Sequence, residues 1–256
     1  MMLEVKDLKI TVCSSETELV HGISFSVGKG ETLGIVGESG SGKSMTSKCI
    51  MGLLDRRAFI IDGQLRWKEK DINVSEKLLP DNYRGQQIIM IPQNPMTAFA
   101  PMVKLGKQLK MGFADTENFY EKLAEILKSM NLNDSKKIFR SYPNELSGGM
   151  LQRIMIAITI LQAPELIIAD EVTTAVDAAS EYQILIELEK LKKKGTSMIV
   201  VTHDFGVAAK LCDKIAVMKS GEIIEQGGMK KVFSSPQHEY TKQLLEASML
   251  RQEVKC

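Results

Sequence analysis

The stretch that most limits how this chain can fold is "GESGSGKS", which is Gly37, Glu38, Ser39, Gly40, Ser41, Gly42, Lys43 and Ser44. It matches G-x-x-x-x-G-K-[ST], follows the apolar strand "LGIV" and precedes a helix. Glycines let backbone N–H groups turn inward around phosphate oxygens, and the helix start adds the positive end of its dipole. In such a loop Lys43 is expected to reach the β- and γ-phosphates of a nucleotide, and Ser44 to ligate Mg²⁺.

The surrounding pattern is α/β. "LEVKDLKITV" and "ISFSV" alternate as strands do, and "GKGE" at 28–31 is a turn between strands. "TLGIVG" is short and continuously apolar, the buried type of strand. Residues 43–54 read as a helix, "GQLRWKEKDI" as further β structure, and "QQIIMIPQ" as a buried strand ending at Gln93. From Asn94 to about Leu161 the character is helical, with Phe119, Leu123, Ile126, Leu127 and Met130 at helical spacing. "ELIIADE", "SMIVVTHD" and "KIAVMKSGEIIEQG" are then strands separated by helices. The helix over 178–194 carries Ile184, Leu185, Leu188 and Leu191 on one face. Alternating strands and helices predict a mainly parallel sheet. Residues 1–93 and 162–256 would form its core, and residues 94–161 an inserted helical subdomain.

Composition narrows the function. A chain of 256 residues, 44% hydrophobic, is ample for a packed core, and a net charge of +1 argues against a nucleic-acid partner. Cys13, Cys49, Cys212 and Cys256 are far apart, which fits reduced thiols better than a disulfide frame or zinc site. The N-terminus mixes charged and apolar residues, unlike a signal peptide. The longest apolar run, Ile154–Leu161, is too short to span a bilayer, so work at a membrane would go through partners.

"LIIADE" places two carboxylates at the end of an apolar strand, where a parallel sheet delivers residues to its ligand crevice. Asp170 is expected to hold Mg²⁺ through water. Glu171, one residue beyond, is placed to orient or deprotonate the attacking water. His203 follows the strand "SMIVVT" and is expected to contact the γ-phosphate. Gln93 ends its own strand in the same way; its amide can ligate Mg²⁺ or the attacking water and can sense a neighbouring domain.

A second loop, "NELSGGMLQR" at 144–153, also opens a helix with small residues, and Ser147 suits its N-cap. One γ-phosphate is not cradled by two helix starts on distant subdomains unless the chain folds back on itself. Two copies facing head to tail resolve this: Ser147, Gly148 and Gly149 of one chain then cover the nucleotide of the other.

Together these stretches resemble the ATP-binding subunits of ABC transporters, over nearly the whole chain. "GESGSGKS" is similar to the Walker A motif, Gln93 to the Q-loop, "LSGGM" to the signature, "LIIADE" to Walker B, "TAVD" to the D-loop and His203 to the H-loop. The resemblance implies a P-loop NTPase (RecA-like) core with an N-terminal antiparallel β subdomain and an inserted helical subdomain. It also implies ATP and Mg²⁺ as ligands, an ATP-sandwich dimer, and membrane subunits docking near the Q-loop. The chain departs from the pattern at Met150, usually Gln, at Val172, usually Pro, and at Val176, usually Leu. The place around Val12, where the family stacks adenine on an aromatic, offers only apolar contact.

Within the family, "IPQNPMTAFAPM" and "SSPQHEYTKQLLEA" resemble the peptide and nickel importers, although Glu239 stands where Pro is common. The short form without a cysteine-bearing extension, and "LSGGMLQR", look more like the nickel importers. That implies uptake of nickel or a related chelated divalent metal, with di- or oligopeptides as the alternative and a non-transport ABC ATPase as a third reading. The implied partners are two integral membrane permease subunits, a second and different ATP-binding subunit, and an extracellular or periplasmic substrate-binding protein. The chain would sit peripherally on the cytoplasmic side of the cell membrane.

Overall fold

A computed structural model describes residues 1–74, 83–113, 117–174 and 176–253. Ala175 of the "TAVD" stretch, residues 114–116 of the expected helical block and Cys256 lie outside them. The chain opens with an antiparallel pair, β1 (Leu3–Val12) and β2 (Glu18–Val27). In β1 Leu3 and Val5 are buried, then Leu8 and Ile10, so the buried set slips out of period-two phase between them. A bulge absorbs the slip, with Asp7 at a φ of 48°. Next come β3 (Thr32–Val36), α1 (Lys43–Ile50), β4 (Phe59–Trp67) and β5 (Lys70–Asn73). β4 pairs with the other edge of β1 and sets Gly63 against the bulge. There φ is 119°, and a Cβ would lie 2.7 Å from the Asp7 carbonyl oxygen. The first sheet is thus ordered β2-β1-β4-β5.

After β6 (Ile88–Ile91) come a 3₁₀ turn at Pro95–Ala98 and helices α2 (Leu105–Met111), α3 (Phe119–Ser129) and α4 (Ser135–Arg140). A second 3₁₀ turn at Pro143–Glu145 leads into α5 (Gly148–Gln162). The chain then alternates through β7 (Leu166–Asp170), α6 (Ala178–Lys193), β8 (Ser197–Thr202), α7 (Phe205–Leu211) and β9 (Lys214–Lys219). It closes with β10 (Glu222–Gly228), α8 (Met229–Ser234) and α9 (Glu239–Glu253). The second sheet runs β10-β9-β3-β8-β7-β6, parallel throughout except for the β9–β10 hairpin.

Every residue of β3, β7 and β8 is buried, as parallel strands covered on both faces require. Their period-two alternation sorts side chains between two cores. Ile167, Ala169, Met198 and Val200 join Leu123, Leu127, Ile154 and Phe205 on the helical side. Leu166, Ile168, Ile199 and Val201 join Leu3, Val5, Ile35 and Trp67 beneath the antiparallel sheet. The architecture is the α/β fold with a P-loop core that the sequence predicts.

Several boundaries differ from the sequence reading. α1 stops at Ile50, because Gly52 turns left-handed at a φ of 67° and Leu53 is exposed. The β structure over 63–72 is two strands meeting at Lys68, whose φ is 57°. β6 ends at Ile91, two residues short of Gln93, which lies in the connection that follows.

Candidate active site

β3 delivers the chain into Gly37–Gly42, and α1 begins at Lys43. Lys43 is buried, and its Nζ donates to the carbonyls of Gly37 (2.9 Å) and Glu38 (2.7 Å) and to Ser41 Oγ (3.3 Å). Burial pulls its pKa below the ordinary 10.5, while Glu171, Asp170 and Glu38 pull it back. A buried ammonium whose hydrogen bonds all go to uncharged oxygens favours an incoming anion. The loop is backed by the β9–β10 hairpin: a Cβ on Gly37 would overlap the Met218 carbonyl oxygen, and the Gly221 N–H donates to the Ser41 carbonyl at 3.1 Å.

Asp170 ends β7, and it is buried there with Ser44 Oγ donating to its Oδ1 at 3.0 Å. Burial holds its carboxyl above the usual 3.8, with Ser44 opposing and Glu171 adding to the shift. Glu171 adopts a left-handed φ of 46°, its N–H donating to Val201 of the neighbouring strand at 2.8 Å. That turn aims its carboxylate away from the strand. Oε2 accepts from Gln93 Nε2 (2.8 Å) and Thr174 Oγ1 (3.2 Å), and Oε1 lies 3.6 Å from His203 Nδ1. His203 sits between β8 and α7, whose N-cap Asp204 accepts from the N–H groups of Gly206 and Val207.

The sequence-predicted residues therefore fall into two groups. Lys43, Ser44, Gln93, Asp170, Glu171 and His203 meet at the C-terminal edge of the parallel sheet, the usual ligand edge of such folds. Ser147, Gly148 and Gly149 are not tied to them: among the described residues, no hydrogen bond or ion pair joins the two groups. Ser147 caps α5, its Oγ accepting from the Met150 N–H at 3.2 Å. The three departures sit near this second group or in the core. Met150 is half-buried, Val172 is buried, and Val176 is the neighbour that a Cβ on Gly149 would touch at 3.6 Å.

Two residues escape the sequence reading. Thr174 binds the Glu171 carboxylate, and its place three residues on in "EVTTAVD" is the available signal. Tyr240 accepts a hydrogen bond from the Glu38 N–H at 3.1 Å, across 202 positions of sequence, and nothing local in the sequence announces that contact.

The donor set also suits a magnesium nucleotide. Ser44 hydroxyl, Asp170 carboxylate and the Gln93 amide oxygen are hard oxygen donors of the kind Mg²⁺ takes. The loop in front of Lys43 is exposed at Glu38, Ser39 and Gly40, and a Cβ on Gly40 would meet nothing within 4 Å, which leaves room for phosphate.

Residues 20–174 match the sequence profile of the family described as ABC transporter. The chain belongs to that family. It is 42% identical over 258 residues to the oligopeptide transport ATP-binding protein OppD of Bacillus subtilis, covering 97% of this chain and 72% of that protein. It is equally 42% identical over 250 residues to the metal-staphylopine import system ATP-binding protein CntD of Staphylococcus aureus, covering 95% and 92%. Among solved structures it resembles a dimeric, post-hydrolysis state of the ATP-binding cassette MJ0796 bound to ADP and Pi. That likeness has a TM-score of 0.74 at 26% identity, over 89% of this chain and 99% of that one. This ABC chain is accordingly an ATP-binding, ATP-hydrolysing subunit. Among the described residues, no helix is long and apolar enough to cross a membrane.

Proposed function

We propose that this chain powers an importer of nickel or a related chelated divalent metal by the following division of labour. Lys43 and the loop amides hold the ATP phosphates. Ser44, Asp170 and Gln93 would hold Mg²⁺, which would supply charge neutralisation to the phosphates. Glu171 takes a proton from the attacking water as its oxygen bonds to the γ-phosphorus and the bond to the β-phosphate oxygen breaks. Gln93 and Thr174 orient that carboxylate, and His203 contacts the γ-phosphate. The observation that carries this reading is the convergence of Gln93, Thr174 and His203 on one carboxylate.

Ser147, Gly148 and Gly149 act on the ATP of a second, different ATP-binding subunit, docked head to tail. Two integral membrane permeases and an extracellular or periplasmic substrate-binding protein complete the complex, with this chain peripheral on the cytoplasmic face. The substrate reading is supported by the relative named for metal-staphylopine import. Import of di- or oligopeptides is the second reading, and the relative named for oligopeptide transport supports it equally.

Deleting the gene separates the two. Metal import predicts lower cellular nickel and lower urease or hydrogenase activity in nickel-poor medium. Unchanged nickel with lost growth on peptides as the amino-acid source would establish the peptide reading instead.

A further inference from the structure

The phosphate loop is gripped from two sides. From within, Lys43 Nζ holds the carbonyls of Gly37 and Glu38. From outside, the buried Tyr240 hydroxyl accepts from the Glu38 N–H at 3.1 Å. The same short stretch of backbone is thus tied to the start of α1 and to the start of α9.

Tyr240 is itself firmly placed. Its own N–H donates to His238 Nδ1 at 3.1 Å, and Lys219 Nζ stands 4.6 Å from its ring centre. The carboxylate of Glu225 on β10 accepts from the N–H groups of Gln237 (2.8 Å) and His238 (3.0 Å), which fixes the approach to α9. The turn between β9 and β10 then touches the loop directly, through the Gly221 N–H on the Ser41 carbonyl. One hairpin therefore holds both the loop and the residue that pins it.

The two grips differ in permanence. An ammonium that turns to a phosphate gives up backbone carbonyls to do so. The hydroxyl of Tyr240 holds Glu38 itself, through its backbone N–H and its side chain, and gives up no carbonyl when a phosphate arrives. We infer that Tyr240 is a positioning residue for the nucleotide: its hydroxyl keeps the Glu38 end of the loop open for the β-phosphate once Lys43 lets go of the Gly37 and Glu38 carbonyls. The inference rests on the loop being the phosphate cradle, and its test has to keep the two apart.

Tyr240→Phe removes the hydroxyl and keeps the ring under Lys219. The full-length chain is titrated with a fluorescent ADP, and then with adenosine as a competitor. Losing one hydrogen bond of this kind lowers ADP affinity about three- to tenfold, with adenosine affinity unchanged and the thermal midpoint of the nucleotide-free chain lowered by no more than about 2–4 °C. In the assembled complex the KM for ATP rises by a similar factor, while kcat stays within about twofold. ADP affinity unchanged in Tyr240→Phe, or an equal loss for adenosine, overturns the inference. Lys43→Ala is the control. If it abolishes ADP binding while Tyr240→Phe does nothing, only the role of Tyr240 falls. If Lys43→Ala leaves ADP binding intact, the cradle itself is misassigned and the inference falls with it.

Discussion

A methyl group added at Gly37 would overlap the Met218 carbonyl oxygen, and one at Gly42 would come 2.7 Å from Met218 Cε. One added at Gly148 would meet nothing within 4 Å. Both loops are rich in glycine and open a helix, yet they are built for different surroundings. The first loop is packed against β9 and held by Lys43, Gly221 and Tyr240, so Gly37 and Gly42 answer to the chain's own packing, while Gly40 faces open space. The second presents exposed Ser147 and Gly148, and a Cβ on Gly149 would meet Val176 at 3.6 Å. Among the described residues, no neighbour requires a glycine at Gly148. In the proposed head-to-tail assembly, the loop's small residues answer to the partner's nucleotide.

The largest expected effect lies at the first site. Glu171→Gln keeps the shape of the side chain and removes the base. ATP turnover in the assembled complex should fall about 10²–10⁴-fold, with ATP binding retained in an equilibrium titration. Near-normal turnover would remove Glu171 from its role. Glycine substitutions come next and bear on the comparison itself. Gly37→Ala forces a backbone clash, so we expect a loss of about 3 kcal/mol in urea unfolding. Gly148→Ala should change stability by less than about 0.5 kcal/mol, yet lower ATPase activity of the complex. If Gly148→Ala destabilised the isolated chain as much as Gly37→Ala, the contrast between the loops would be lost.

How far the sequence reveals this contrast depends on the range of the interactions. The buried strands β3, β7 and β8 are readable because each is continuously apolar, and Asp170 and Glu171 because they end such a strand. Gln93 and His203 are single polar residues; their meeting at Glu171 follows from strand order, which single-sequence periodicity does not contain. The bulge at Asp7 breaks the alternation of β1 by one residue, and its partner Gly63 lies on another strand. The Tyr240–Glu38 contact spans 202 positions of sequence, far beyond the reach of any local pattern.

A smaller effect follows from burial at the first site. The Asp170 carboxyl is held above 3.8 chiefly by burial, so the folded chain binds its proton more readily than the unfolded chain. The cost of charging Asp170 is full above its raised pKa and fades as pH falls toward 3.8. Asp170→Asn should therefore raise the thermal midpoint of the nucleotide-free chain at pH 8, while reducing ATPase activity. The gain should shrink in acid. A destabilised Asp170→Asn chain at pH 8 would contradict this. The smallest effect is on thiol chemistry. Burial pushes Cys49 and Cys212 to about 12, whereas Cys13 is exposed. Under native conditions at neutral pH, mass spectrometry should find alkylation at Cys13 and none at Cys49 or Cys212.

The most direct test of the two-loop account is site-resolved photolabelling with an azido-ATP on the reconstituted complex and on the isolated chain. Lys43→Ala should abolish labelling of this chain's own pocket and leave the partner's labelled. Ser147→Arg places a bulky cation at an exposed helix start, so the isolated chain should label normally through Lys43 and Ser44. Closure over the partner's nucleotide should then fail. If Ser147→Arg instead abolished labelling of the isolated chain as fully as Lys43→Ala does, both loops would serve one ATP, and the head-to-tail arrangement would be wrong.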